Sequence, residues 1–188
     1  MRPKGQILII VAVLIPVTLL MLAVAVDSGR IFIERGRVQR AAQSGADAGI
    51  SVIAEQMVTL AVARQTVLAS TPSPTPPGTM TATPLPADVS AWLTDDDRAT
   101  LVAPEIQSTA AAEAREYTSK NGFDTSDPQT LLIEVTYPQP GYDPYDHSET
   151  TLNLFVKIRR RTTVLLAGLL GESLIDLESE AQSEIPQR

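Results

Sequence analysis

Residues 7–26 read ILIIVAVLIPVTLLMLAVAV, twenty consecutive positions without a charged side chain. At about 1.5 Å of rise per residue, such a run makes roughly 30 Å of helix, the thickness of a bilayer's hydrocarbon core. Pro16 would break a helix in water. Within a membrane, the carbonyl it frees can be satisfied by a neighbour or a Thr hydroxyl, and Thr18 lies two residues on. Arg2 and Lys4 precede the run, and Asp27 closes it. The stretch therefore reads as a single membrane anchor that exits at Asp27, with the lipid bilayer as its first partner. Two readings compete. Ala23-Val24-Ala25 has the small-x-small form of a signal-peptide cleavage site, although the apolar run outlasts the usual h-region of about 7–15 residues. A soluble core helix that is apolar on every side would need a much larger protein around it.

About 160 residues remain beyond the anchor, enough for one modest domain and its connectors. The chain's formal net charge is −7. With Arg2 and Lys4 set aside, the part after the anchor holds 13 basic and 22 acidic residues, net −9. An acidic exterior argues against nucleic acid as a partner. The chain has no cysteine, which removes disulfides, thiolate metal sites and a Cys nucleophile. Aromatic residues make up only 4%, leaving few platforms for stacking bases or sugars. Orientation is a closer balance. Arg30, Arg35, Arg37 and Arg40 follow the anchor and slightly favour that side as the inner one by the positive-inside rule. The short head before the run has no room for a cytoplasmic function, and a long Pro/Thr linker suits an envelope protein. The expectation is the bulk of the chain outside the cell membrane.

The helical pattern continues past the anchor. Ile31, Val38, Ala42, Gly45, Gly49, Ile53, Met57 and Leu60 step by three, four or seven, which is one helix face, and no proline follows until Pro72. Anchor and continuation predict one helix of about 60 residues. Ala41, Gly45 and Gly49, with Ala42 beside them, form a small-xxx-small stripe that lets another backbone come close. The stripe suits either the chain's own C-terminal domain or a neighbouring subunit's helix.

Residues 70–86, STPSPTPPGTMTATPLP, form a linker, since proline blocks helix and ladder bonds and the hydroxyls are solvated. Trp92 and then Thr94-Asp95-Asp96-Asp97 follow. Thr94 or an aspartate there reads as the cap of a short helix, because a calcium loop would need a Gly and a terminal Glu that are missing. Residues 104–120 predict a helix with Pro104 in its first turn. Ile106, Ala110, Ala114 and Tyr117 form its face, and Asn121-Gly122 its C-cap. Three strands are expected next. Leu131, Ile133, Val135 and Tyr137 alternate in the first; Leu152, Leu154, Val156 and Ile158 in the second; Ile175, Leu177, Ser179, Ala181, Ser183 and Ile185 in the third. A short apolar helix, VLLAGLLG, is expected between the last two. The wet face of the second strand carries Lys157, Arg159 and Arg161, and that of the third carries Asp176, Glu178, Glu180 and Glu184. Their complementary charge predicts that the two strands are neighbours. Their long connection is compatible with a parallel crossover, and antiparallel order stays open.

No catalytic constellation emerges. His147 is the only histidine, and there is no nucleophile elbow and no phosphate-cradling glycine motif. Asp143, Asp146, His147 and Glu149 cluster in a polar loop; weak binding of a divalent ion is the alternative there, and the loop reads first as a solvated tip. The sequence therefore predicts a protein that is not an enzyme and has no cofactor, no catalytic residue and no metal site.

Several of these segments together resemble a known family. Lys4-Gly5-Gln6, the apolar run with its mid-span Pro16, the exit Ala25-Val26-Asp27-Ser28-Gly29-Arg30 and the helix Arg37-Val38-Gln39-Arg40-Ala41-Ala42-Gln43-Ser44-Gly45-Ala46-Asp47-Ala48-Gly49 resemble the N-terminal region of TadE/TadG-like Flp (tight adherence) pilus-assembly proteins. The resemblance covers about residues 4–50. It implies a single-pass inner-membrane protein with a pilin-like plan, acting as a structural or assembly component, minor pilin or pseudopilin-like, of a Tad/Flp pilus or a related secretion system. Other pilus subunits, met through the long helix, are the implied partners, with oligomers as one outcome. Prepilin-type members carry a Glu at the fifth position after the processed Gly. Counted from Gly5, that position is Ile10, so the TadG-like, unprocessed variety is implied. The expected fold class is α+β: a long N-terminal helix, half transmembrane and half exposed, before a small domain of helix and three-stranded sheet. The expected division is 1–27 tail and transmembrane helix, 28–69 exposed helix, 70–87 linker and 88–188 α+β domain. The helix-packing or assembly residues are Ala41, Ala42, Gly45 and Gly49, with Asp27 at the membrane exit. The alternative is a secreted or surface binding module with a cleaved signal peptide.

Overall fold

The computed structural model describes residues 4–70, 93–138, 151–164 and 174–186. The proline-rich linker beyond Ser70, Trp92, the loop with Asp143, Asp146, His147 and Glu149, and the expected helix after Val164 lie outside the described residues. Helix α1 (Lys4–Ser70) runs for 67 residues without a break, as the absence of proline between 17 and 71 allows. At helical rise that is about 100 Å. Pro16 sits inside it. The Thr18 hydroxyl donates to the Leu14 carbonyl at 2.8 Å, whereas the carbonyl that Pro16 frees is that of Ala12. Thr18 therefore does not replace the lost bond.

Helices α2 (Asp95–Leu101) and α3 (Pro104–Lys120) follow, then strands β1 (Thr130–Thr136), β2 (Thr151–Thr163) and β3 (Leu174–Pro186). The fold is α+β, as expected. Thr94 caps α2: its hydroxyl accepts from the Asp97 backbone N–H, and the Asp97 carboxylate accepts from the Thr94 N–H. This is a reciprocal capping box. Helix α3 starts with Pro at its first turn and ends in a Schellman turn. Gly122, at φ 86°, donates to Ser119, and Phe123 donates to Thr118. Its buried face is Ala110, Ala114 and Thr118. The sequence pattern put Tyr117 on that face. The four-residue step from Ala114 gives the inward place to Thr118, and Tyr117 turns outward.

The sheet is antiparallel throughout, in the order β1-β2-β3. The parallel crossover that the long β2–β3 connection allowed is not used. The expected charge pairing is present. Lys157 lies 2.6 Å from Glu178 and 2.9 Å from Glu180, Arg159 2.8 Å from Glu178, and Arg161 2.9 Å from Asp176. Hydrogen bonds from Lys157 and Arg159 hold the Glu178 carboxyl below its ordinary range, and the Arg161 hydrogen bond does the same for Asp176. The opposite face of β2, with Leu152, Leu154, Val156 and Ile158, is fully buried. In β1, a register shift between Thr130 and Leu132 moves Leu131 out of the expected inward position. Thr130 is buried instead, while Ile133 and Val135 keep their pairing with Ile158 and Val156.

The molecule is layered. Helix α1 lies across β2 and β3, and α3 packs beside it toward β1. The core between the layers draws Val38, Ala42, Ile53 and Met57 from α1, Ala110 and Ala114 from α3, and the inner residues of β2. Phe123 and Leu101 close its ends, and the buried Tyr137 hydroxyl donates to the Leu101 carbonyl at 3.1 Å.

Candidate functional site

The residues that the sequence singles out all lie on α1, and the structure places them in two settings. Along residues 8–26 every apolar side chain is at least partly open, and the 18-residue window of highest hydropathy is wholly unburied. It is the one helix among the described residues long and apolar enough to cross a membrane. Asp27 is the first buried residue met along the helix, at 5% exposure, between the exposed Val26 and Ser28.

From Val38 onward the same helix is covered. Ala41, Ala42, Gly45 and Gly49 are all buried. A Cβ on Gly45 would lie 2.7 Å from Thr118 Cγ2 and 3.0 Å from the Ala114 carbonyl oxygen. One on Gly49 would lie 2.7 Å from Leu154 Cδ1 and 3.1 Å from the Ala110 carbonyl oxygen. The backbones of α1 and α3 thus approach as closely as the absent side chains permit. Each glycine costs about 1 kcal/mol of helix propensity against alanine, and this close contact offsets it. Gly29 and Gly36, on the uncovered stretch, have nothing within 4 Å of an added Cβ.

Polar contacts fix the register of the seam. The Gln39 side chain donates to the Glu180 carbonyl at 3.1 Å, and the Ser179 hydroxyl donates to Gln39 Oε1. Asn121 donates to the Ser44 hydroxyl at 3.2 Å. At the far end of α1, Arg64 reaches Asp97 at 3.0 Å and Thr94 at 3.2 Å, tying the helix to the capping box. Burial acts to raise the Asp97 pKa. The Thr94 backbone and hydroxyl hydrogen bonds and the Arg64 guanidinium outweigh it and hold the carboxyl below its ordinary 3.8.

One group was missed by sequence reasoning. Arg160 packs at the end of the sheet nearest Asp27 on the chain, with Nε 2.8 Å from Glu34, Nη1 3.2 Å from Asp127 and its guanidinium 4.9 Å from the Phe123 ring centre. Nε is off the line of a hydrogen bond to Glu34, so this contact is a close ion pair rather than a directed bond. Arg37 joins through Glu34 at 3.2 Å. The signal was available in parity: Arg160 continues the inward series 152, 154, 156, 158, where a charge needs a partner. Among the described residues no group of three or more His, Asp or Glu side chains could hold a metal.

These elements define a protein in which a membrane-capable helix is also the spine of a small α+β head. Residues 5–65 match the family described as "Putative Flp pilus-assembly TadE/G-like". The match spans the apolar run, Asp27 and the seam residues, and stops before α2, α3 and the sheet. No curated protein and no solved structure matches the chain.

Proposed function

We propose that this chain is a single-pass structural or assembly component of a Tad/Flp-type pilus or a related secretion system, minor pilin or pseudopilin-like, of the TadG-like unprocessed variety. It sits in the inner membrane with its head on the outer side. The observation that carries this reading is continuity: one helix is bare and apolar where a bilayer would cover it, and becomes the core of the head where the apolar run ends. A signal for export alone would not need that shared spine. The match over residues 5–65 supports the pilus system.

In this reading Ala41, Ala42, Gly45 and Gly49 serve helix packing within the chain, because Thr118, Ala114 and Leu154 already occupy the space beside the two glycines. Contacts with other subunits then fall to the open faces of α1, such as Val58 and Val62, which are about half exposed. The role is structural, not catalytic. The test is photo-crosslinking in cells from a reactive residue at Val58 or Val62, compared with the same probe at Val38 inside the core. Adducts to other pilus subunits from the open sites, and loss of pili when the chain is deleted, are expected. A mature protein that starts at Val26 in the culture medium would overturn the anchor and support the secreted binding module instead.

A further inference from the structure

The acidity of the chain is unevenly spread. Its net charge is −7, yet residues 27–40, directly after the apolar run, hold four basic side chains, Arg30, Arg35, Arg37 and Arg40, against the two carboxylates of Asp27 and Glu34. Part of this segment forms a cleft of about 350 Å³ between α1 and the end of β2, lined by Arg30, Ile33, Glu34, Arg37, Arg160 and Thr162, among others. Glu34 is shared by Arg160 and Arg37, and Asp127 engages Arg160. Of the lining residues, three carry guanidinium groups and one, Glu34, a carboxylate; Asp127 and the buried Asp27 stand outside the lining, so the cleft wall itself is positive. Large apolar side chains stand open beside it: Phe32 is 80% exposed and Ile33 63%. Arg35, three residues from Phe32, extends the basic character around the helix.

The height of this collar is set by helix geometry. Arg30 lies about 6 Å and Arg37 about 16 Å along the helix from Val26. The headgroup layer occupies roughly 5–7 Å beyond the hydrocarbon core, and arginine stems reach several ångströms back toward it. Basic groups at that height, interleaved with exposed Phe and Ile, fit an interface that is anionic outside and apolar beneath. A free acidic protein segment would gain nothing from the two apolar side chains, and would first meet the negative surface of the head.

We propose that this collar docks on anionic phospholipid, with one headgroup phosphate lodged in the cleft between Arg30 and Arg37 and with Phe32 and Ile33 entering the interface. The site rests on the reading of residues 7–26 as a membrane anchor. The docking would hold the helix at a fixed depth and the head against one leaflet.

The test uses full-length protein, delipidated in neutral detergent and titrated with phosphatidylglycerol or with phosphatidylcholine under native mass spectrometry. Phosphatidylglycerol should bind more tightly. Arg30→Gln, which leaves the Glu34 pairs in place, should cut that preference about fivefold, and Arg30→Gln with Arg37→Gln roughly 10- to 30-fold, from about 1 kcal/mol per basic residue at an anionic surface. Unchanged thermal melting of the single variant shows that the head is intact. Equal binding of the two lipids, or an unaltered preference in both variants, overturns the proposal. Full competition by inorganic phosphate also overturns it, by assigning the cleft to a soluble anion. Alkaline washing of cell membranes separates the two failures. If the wild-type protein washes off, the anchor falls and the lipid site with it. If it stays and shows no lipid preference, only the lipid site falls.

Discussion

The two halves of α1 share one backbone conformation and differ in almost everything else. Residues 8–26 are apolar on all sides, and among the described residues no part of the head covers them. Residues 38–61 bury one face, with small side chains from Ala41 to Gly49 and larger ones at Ile50, Ile53 and Met57, while the other face is mostly polar with Val58 open among it. The first half is specified by hydropathy alone and tolerates any apolar residue of helical character. The second is specified by shape, because the glycine seam admits α3 only at positions without a Cβ. Their energetics are therefore separable, and substitutions in one half should leave the other unmoved.

The largest expected effect is on the first half. Leu14→Arg with Leu19→Arg places two charges at mid-span, each costing roughly 2.5–3.5 kcal/mol on insertion scales. The variant should leave the membrane fraction on alkaline washing, while the head keeps its thermal transition in detergent. If it remains in the membrane, the anchor lies elsewhere. If the head unfolds, the halves are not separable.

The next effect belongs to the second half. Gly45→Leu with Gly49→Leu should overpack the seam at about 1–3 kcal/mol per site, with membrane retention unchanged. Differential scanning calorimetry of the detergent-solubilised protein reads the loss. Leucine is the better helix former, so an unchanged or raised transition would mean that α3 does not pack here. The matched control is Gly29→Ala with Gly36→Ala. With open space around both, they should gain up to about 1 kcal/mol each from propensity.

A smaller effect tests how the far end of α1 is tied down. Thr94→Ala should cost about 1 kcal/mol by removing the cap. Acid should act on the same contact. The folded pKa of Asp97 lies below its ordinary 3.8, so its contribution is complete above that value and is lost as pH falls through the lower, folded one. Asp97→Asn should therefore be the less stable protein at neutral pH and should lose less on acidification. Parallel pH profiles for the two proteins would exclude Asp97 from the acid response. The smallest expected change is none: with Ile10 at the position of the prepilin Glu, mass spectrometry should find no cleavage after Gly5. A peptide that starts at Gln6 would restore a processed filament subunit.

Much of this architecture is legible in the sequence where a single physical rule dominates. Hydropathy marks the membrane-capable run, proline and Asn-Gly bound α3, and period-two alternation with opposite charge pairs β2 with β3. The sequence falls short where two rules compete. Tyr117 is apolar enough for the core face of α3, but the four-residue step and the closeness of Gly45 select the smaller Thr118. Leu131 keeps the alternation on paper, and a one-residue shift in the ladder gives its place to Thr130. Strand direction between β2 and β3 is invisible to composition, since charge complementarity is served equally by either. The Arg160 network is masked in the sequence because Arg159 and Arg161 on either side give that run the character of a basic wet face.

The unbroken length of α1 makes it a lever. From Val26 to Ser70 the helix extends about 65 Å beyond the apolar run, and the head is fastened along much of that length. A tilt of about 20°, the average for membrane-spanning helices, would swing the tip sideways by roughly 20 Å. With residues 7–26 in a bilayer, a change in its thickness would therefore register at the distal end of the head as a displacement larger than the roughly 14 Å width of the head's own three-stranded sheet.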